Sequence, residues 1–281
     1  MNLTLQKIAS VASVSLITML VGISQAQSTQ PQPALTAAKT TKISQRQTTL
    51  NKDLLVKAIT KFWQSDRYLT ESQSLITAKT QGGDFKFKIN TKTIVQAGGK
   101  FRSEIFFTEI EDQTKQQYVV ISDGKKVWTY NPVSQEYSIS SSDNFQESFL
   151  IGVSSLVFIQ FPEEARVAIS QNQSSSEKIL QEIGLLDNTR LKEEQGIVDN
   201  QQVSVYRYTE PEDGFNFSAF IEPVEGIVKQ VQFGGQSSGF DILITEKILQ
   251  RTSQPVTTAQ TFKFSPPLGA KQVKSLSIDP F

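Results

Sequence analysis

The chain contains no cysteine and no histidine among its 281 residues, and its 28 Lys and Arg balance 28 Asp and Glu. Without Cys or His there are no disulfides, iron–sulfur clusters, thiol nucleophiles, imidazole bases or zinc sites built on those ligands. A net charge of zero removes the basic footprint that a nucleic-acid partner requires. What survives is carboxylate chemistry, a lysine-based mechanism or no catalysis at all, and the composition points to the last. The expectation is a binding protein without cofactor, metal or catalytic residues. The acidic runs Glu109, Glu111, Asp112 and Glu210, Glu212, Asp213 lack calcium-loop spacing and read as solvated turns.

Long apolar runs are also scarce. One stretch, from Ile8 to Ile23, follows Lys7, the only charged side chain of residues 1–26, and precedes Ser24-Gln25-Ala26. This is the pattern of a secretory signal peptide cleaved after about Ala26. Ser10, Ser13, Ser15 and Thr18 dilute the stretch below what a membrane anchor needs. With no Cys at the cleavage point, the exported chain is not expected to be a lipoprotein. Residues 27–49, rich in Gln, Thr, Ser and Ala with Pro31 and Pro33, show no period and read as a disordered leader.

From residue 50 to 281 the chain reads as one domain. Leu55, Ile59 and Phe62, with Leu54, Ala58 and Trp63 beside them, predict a helix over 51–64 capped by Asn51. The period then falls to two. Phe85, Phe87 and Ile89 alternate with lysines, and Phe101 and Ile105 with Arg102 and Glu104. Strands at 118–121 and 127–130 flank the turn Ser122-Asp123-Gly124-Lys125, and another follows at 137–140. Phe145, Phe149, Val153 and Leu156 then repeat at helical spacing, which predicts a single helix over 143–160 ended by Pro162. Strand patterns resume at 203–208, 215–221, 227–233, 240–248 and 261–264, with turns at 211–214, 222–226 and 234–235. Nine or ten sequential antiparallel strands must curl, and the helices inserted among them belong on the concave face. The fold class is mainly β (α+β). Phe85, Phe87, Phe101, Ile105, Phe215 and Phe217 are expected to point inward. Trp128 and Tyr130 share one face of their strand, which the pattern leaves undecided, as it does for Tyr118. A final Phe281 suggests an outer-membrane barrel terminus, but Asp279 and Ser277 are wrong for a lipid-facing strand.

Two motifs carry a resemblance. Val120-Ile121-Ser122-Asp123-Gly124-Lys125-Lys126-Val127-Trp128-Thr129-Tyr130-Asn131-Pro132 resembles the signature hairpin of the LolA-type periplasmic lipoprotein carriers. Thr261-Phe262-Lys263-Phe264-Ser265-Pro266-Pro267-Leu268-Gly269-Ala270 is similar to that family's terminal Phe-x-Phe-x-Pro-Pro-x-Gly strand. The resemblance implies an unclosed β-barrel, a half-barrel whose hydrophobic concavity is covered by a helical lid and binds acyl chains of lipoproteins or other lipids. It makes Phe85, Phe87, Phe101, Ile105, Phe215 and Phe217 cavity residues and Phe145, Phe149, Val153 and Leu156 the lid. The compartment implied is the periplasm, with an inner-membrane transporter and an outer-membrane acceptor as further partners. An alternative within the same fold is an envelope sensor that binds a membrane protein's external segment. The family's lid-latching Arg-Pro pair aligns here with Ala97-Gly98. Opening is therefore expected to follow hydrophobic competition, without a hydrogen-bonded latch.

Overall fold

The computed structural model describes residues 43–44, 50–80, 83–108, 116–161, 163–170, 175–183, 185, 190–210, 215–237 and 240–278. The signal-peptide assignment, most of the leader, Glu109, Glu111, Asp112, Glu212, Asp213, Pro162, the turn at 211–214, Asp279 and Phe281 lie outside the described residues.

Helix α1 (Lys52–Trp63) forms where the apolar spacing places it, and the Asn51 side chain accepts from the Leu54 N–H at 3.0 Å. It is followed by an antiparallel meander of β2 (Arg67–Thr80), β3 (Gly83–Gln96), β4 (Lys100–Thr108), β5 (Gln117–Asp123), β6 (Lys126–Asn131) and β7 (Glu136–Ser141). A second meander comprises β8 (Leu191–Val198), β9 (Gln201–Glu210), β10 (Phe215–Ile221), β11 (Val228–Ser237) and β12 (Phe240–Ser253). Antiparallel pairing of β12 with β2 fuses the two meanders. The short strands β1 (Ile43–Ser44), paired with β8, and β13 (Lys271–Gln272), parallel to β7, form the two edges. These thirteen strands make one sheet in the order β1-β8-β9-β10-β11-β12-β2-β3-β4-β5-β6-β7-β13, which leaves the barrel unclosed among the described residues. Ile43–Ser44, within the segment read as leader, thus carry a strand pairing.

The connection from β7 to β8 must cross from one end of the sheet to the other, and it does so as helices on the inner face. Where one helix was expected over 143–160, two 3-10 turns (Ser142–Asn144 and Gln146–Ile151) lead into α2 (Val153–Gln160). The break is at Gly152, whose φ of +98° no helix accommodates. Two further helices, α3 (Glu163–Ser170) and α4 (Ser176–Glu182), were not expected from the pattern.

Three strand readings also change. Residues 261–264 form turn and coil: the Thr261 and Lys263 N–H groups donate to the nearby Thr258 and Gln260 carbonyls at 3.1 Å each, and β13 makes the edge contact instead. Gly234-Gly235, read as a turn, continue β11 opposite Leu243 and Ile242 of β12. Strands β2 and β8 escape period-two reading because inward positions are polar: Thr70, Ser72 and Ser74 on β2 and Glu193 on β8 are buried. Asp123 behaves as a turn residue; its carboxylate accepts from the Lys125 and Lys126 N–H groups at 2.8 Å each, which holds its pKa below the ordinary value. Gly124 at φ +94° leaves no room for a side chain, since an added Cβ would lie 2.3 Å from the Gly98 carbonyl oxygen.

One large apolar cluster fills the concavity, joining α1, the helical crossing and the inward rows of β2–β6 and β8–β12. Trp128 and Tyr130 lie on the opposite face from buried Val127. There Phe264 of the C-terminal segment covers them, its ring 6.5 Å and 5.9 Å from theirs. Tyr118 points inward and packs edge-on against Phe107 at 6.0 Å.

Candidate functional site

Helix α1 is pinned at both ends by buried polar groups. At its start, the Asn51 N–H donates to Glu193 Oε2 at 2.6 Å and the Tyr206 hydroxyl donates to the Asn51 carbonyl at 2.7 Å. Burial, reinforced by the Glu193 charge, pushes the Tyr206 phenol far above its ordinary pKa, so it stays protonated and keeps the proton it donates to the Asn51 carbonyl. At its end, Arg251 Nη2 donates to the Phe62 carbonyl at 3.2 Å and Nη1 to Thr70 Oγ1 at 2.8 Å. The same guanidinium lies 3.8 Å from the Phe62 ring centroid and 4.0 Å from that of Tyr68. Burial lowers the Arg251 pKa to about 10, far above physiological pH. A register shift between Ile248 and Gln250 turns Arg251 inward; unbroken alternation from Glu246 and Ile248 would turn Gln250 inward instead.

Between α1 and strands β8 to β11 a cavity of about 100 Å³ remains, lined by 18 of the described residues. Leu55, Ala58, Ile59, Phe62 and Trp63 face it from α1. Leu191, Tyr206, Tyr208, Phe217, Ala219, Ile221, Val228 and Val231 face it from the sheet side, and Ser154, Val157, Phe161, Ile183 and Leu185 complete the wall. None of these carries a formal charge. The polar atoms on the wall are mostly engaged elsewhere: Tyr206 with Asn51, Tyr208 with Glu210 Oε2 at 2.9 Å, and Ser154 with Glu246.

The Glu246 contact corrects the expectation of an unlatched lid. Glu246, on β12 and wholly buried, accepts from the Ser154 N–H at 2.6 Å through Oε2 and from the Ser154 hydroxyl at 2.8 Å through Oε1. Ser72 donates to the same carboxylate, and Arg251 adds a favourable charge. The Thr93 hydroxyl donates to the Ile151 carbonyl at 2.8 Å just before Gly152. The first turn of α2 is therefore tied to β12, and the segment leading into it to β3. An added Cβ at Gly152 would lie 2.8 Å from Glu246 Oε1, so the break in the helix is also the site of closest approach. Burial outweighs these partners and raises the Glu246 pKa.

The residues expected to form the site divide. Phe87, Phe101, Ile105 and Phe215 are buried on the inner face, but of the five whose side chains are described only Phe217 lines the cavity. The side chain of Phe85 lies outside the described residues. Phe145, Phe149, Val153 and Leu156 are all buried; Phe145 packs on Phe101 at 6.0 Å, over the β4 side of the concavity. That covering segment reaches the cavity through Ser154 and Val157 instead. Sequence reasoning missed the α1 face as wall and Glu246 as anchor. The signal for Glu246 was present, since it falls in the inward phase of Ile242, Ile244 and Ile248. Glu210, read as a solvated turn, is buried and paired with Arg190 at 2.9 Å.

No described helix is long and apolar enough to cross a membrane. Among the described residues no group of three acidic side chains is placed to hold a metal ion. No protein-family model matches the chain. No curated protein matches it by sequence either. Solved structures that align with the chain include a putative outer membrane lipoprotein-sorting protein domain from Vibrio parahaemolyticus, with 12% identity over 75% of this chain and 97% of that one at a TM-score of 0.31. A LolA superfamily protein from Nitrosomonas europaea shares 9% identity over 77% of this chain and 99% of that one, with a TM-score of 0.30. The Pseudomonas aeruginosa MucA/MucB complex aligns at 11% identity over 76% of this chain and 60% of that one, with a TM-score of 0.32.

Proposed function

We propose that the chain is a non-catalytic carrier that takes the acyl chain of a lipoprotein or other lipid into the cavity under α1, working in the periplasm after export through residues 1–26. The observation that carries this reading is the wall itself: 18 described residues line the space inside a curved sheet, and none of them is charged. Each methylene moved from water into such a site contributes about 0.8 kcal/mol, so a chain binds without polar contacts. About 100 Å³ accommodates only part of a long chain, less than a dry cavity of roughly 150 Å³ that takes up benzene in another protein. Full uptake therefore displaces a covering element, and α2, apolar and tied to the sheet at its start through Ser154 and Glu246, is the element that moves. A closed state held by a few kcal/mol is what a ligand of this class can overcome. The buried carboxylates have structural employment: Glu193 holds α1, Glu210 pairs with Arg190, and Glu246 holds α2. An inner-membrane transporter and an outer-membrane acceptor are the partners such a carrier would serve.

The test combines binding of a fluorescent long-chain acyl probe with mass spectrometry of lipids extracted from protein purified from its own envelope. The wild type is expected to bind the probe and bring out lipid, while Ala219→Phe, which fills the cavity, loses both with an unchanged circular dichroism spectrum. Absence of binding by the wild type, or equal binding by the filled variant, would overturn the carrier reading.

A further inference from the structure

At the tip of the β6–β7 hairpin, far from the cavity wall, two turns hold apolar side chains out in solvent. In the first, the Asn131 side chain accepts from the Val133 and Ser134 N–H groups at 2.8 Å and 3.2 Å, and Val133, after Pro132, is 75% exposed. The second is Pro267-Leu268-Gly269-Ala270, closed by the Ala270 N–H, which donates to the Pro267 carbonyl at 3.0 Å. Gly269 at φ +89° takes the third position of this turn, which sets Leu268, 103% exposed, at its apex beside the exposed Pro266 and Pro267. The two turns are neighbours. Strand β13 runs parallel to β7 with Lys271 opposite Glu136, and the Lys271 N–H donates to the Gln135 carbonyl at 2.9 Å, so Leu268 and Val133 each lie three residues before the same register point. Single exposed aliphatics are ordinary on a protein surface, but here two of them and three prolines share one fixed ridge.

The segment that carries the second turn is basic. Residues 254–278 contain Lys263, Lys271 and Lys274 and no acidic residue. All three lysines are exposed, and none makes an ion pair among the described residues. Between Lys126 and Ser141 the only acidic residue is Glu136, half-buried on β7, so the charge beside the ridge is net positive. A ridge of two aliphatics is small against the roughly 800 Å² that each partner of a stable protein complex buries. A bilayer asks for less: a few apolar side chains enter the headgroup boundary while neighbouring lysines stay with anionic lipid. We infer that this ridge docks the protein reversibly on an anionic phospholipid bilayer, with Leu268 and Val133 inserted and the three lysines facing the lipid phosphates. The docking surface goes beyond the carrier reading and does not depend on it.

Val256 provides the control. It is 93% exposed on the same segment, but it follows Gln254, whose N–H donates to the Arg67 carbonyl at the start of β2, the opposite end of the sheet from the β6–β7 turn. Protein recovered from the envelope after export is sedimented with vesicles of phosphatidylcholine, alone or with about one-third phosphatidylglycerol, at about 0.05 M and about 0.5 M salt. At low salt the wild type is expected to prefer the anionic vesicles about a hundredfold, from about fivefold for each lysine, and to lose most of that preference at high salt. Replacing the three lysines together by Gln should abolish the preference. Leu268→Ser should weaken binding about tenfold and Val256→Ser should leave it unchanged, with the circular dichroism spectrum and acyl-probe affinity of both at wild-type values. Because the chain has no cysteine, Leu268→Cys and Val256→Cys each give a single attachment point for an environment-sensitive fluorophore. Emission from position 268, and not from 256, should shift to the blue on anionic vesicles. Binding unchanged by Leu268→Ser, equal binding to both kinds of vesicle, or a shift at 256 in place of 268 overturns the docking surface and leaves the carrier reading intact. Absence of vesicle binding at low salt overturns it too and gives the ridge to a protein partner. The expected vesicle pattern in a protein that takes up no acyl probe upholds the docking surface and removes the carrier reading.

Discussion

Replacing Glu246 by Gln removes a buried ionisable group and keeps its shape. Because burial raises the Glu246 pKa above the unfolded value of 4.5, the folded state holds this proton more tightly than the unfolded state. Stability from this group is therefore fully present below about pH 4.5 and is lost as pH rises through the raised folded value. The slope of the loss reaches at most about 1.4 kcal/mol per pH unit for one proton. In a domain of this size, 1 kcal/mol moves Tm by roughly 2–4 °C. Absence of histidine makes the measurement clean, since no side chain of ordinary pKa titrates between about pH 5.5 and 8. The groups facing the Glu246 carboxylate are the Ser72 hydroxyl, the N–H and hydroxyl of Ser154, and the Arg251 charge, which does not titrate in that range. Wild-type Tm, followed by calorimetry from pH 5 to 8 at constant ionic strength, is expected to fall with pH, whereas Glu246→Gln stays flat and melts higher than the wild type at pH 8. Where the pH is high enough to ionise Glu246, the variant also exchanges charge-assisted hydrogen bonds to Ser154 for neutral ones, so hydrogen exchange at the start of α2 should quicken there. A pH slope retained in Glu246→Gln would refute the assignment of that proton.

Gly152→Ala forces a φ of +98° on an alanine whose Cβ meets Glu246 Oε1 at 2.8 Å. Strain and the disturbed hydrogen bond together should cost about 2–4 kcal/mol, read as a lowered urea midpoint with unchanged m value. Phe264→Ala uncovers the outer face of β6 and β7, where the ring lies within 5.2–6.5 Å of Tyr137, Tyr130 and Trp128. In a Trp63→Phe background the remaining Trp128 emission should shift to the red and stability should fall by about 1–2 kcal/mol, with acyl-probe affinity unaltered.

Much of the architecture is written in periodicity. Alternation places Phe87, Phe101, Ile105 and Phe215 on the inner face, and helical spacing finds α1 to within a residue. Period-two reading settles which side a residue faces but not which inward residues close on one another, because that depends on where the crossing helices land. Those helices meet β3 and β4 through Phe145 and Ile151, and the space left over falls at the β8–β11 end. Two strands escaped the pattern through inward polar residues: Thr70, Ser72 and Ser74 disguise β2 and Glu193 disguises β8, while the backbone at Gly152 separates the 3-10 turns from α2. These same residues shape the site. Glu193 and Arg251 hold α1 at its two ends, so that it does not settle onto Ala219 and fill the gap, while Ser72 and Glu246 fix the start of α2 across from Gly152. A sheet with apolar residues at all of these positions would read more plainly as a half-barrel, and its helices would be free to close on its core. Departures from local pattern of this kind concentrate at functional or strained sites.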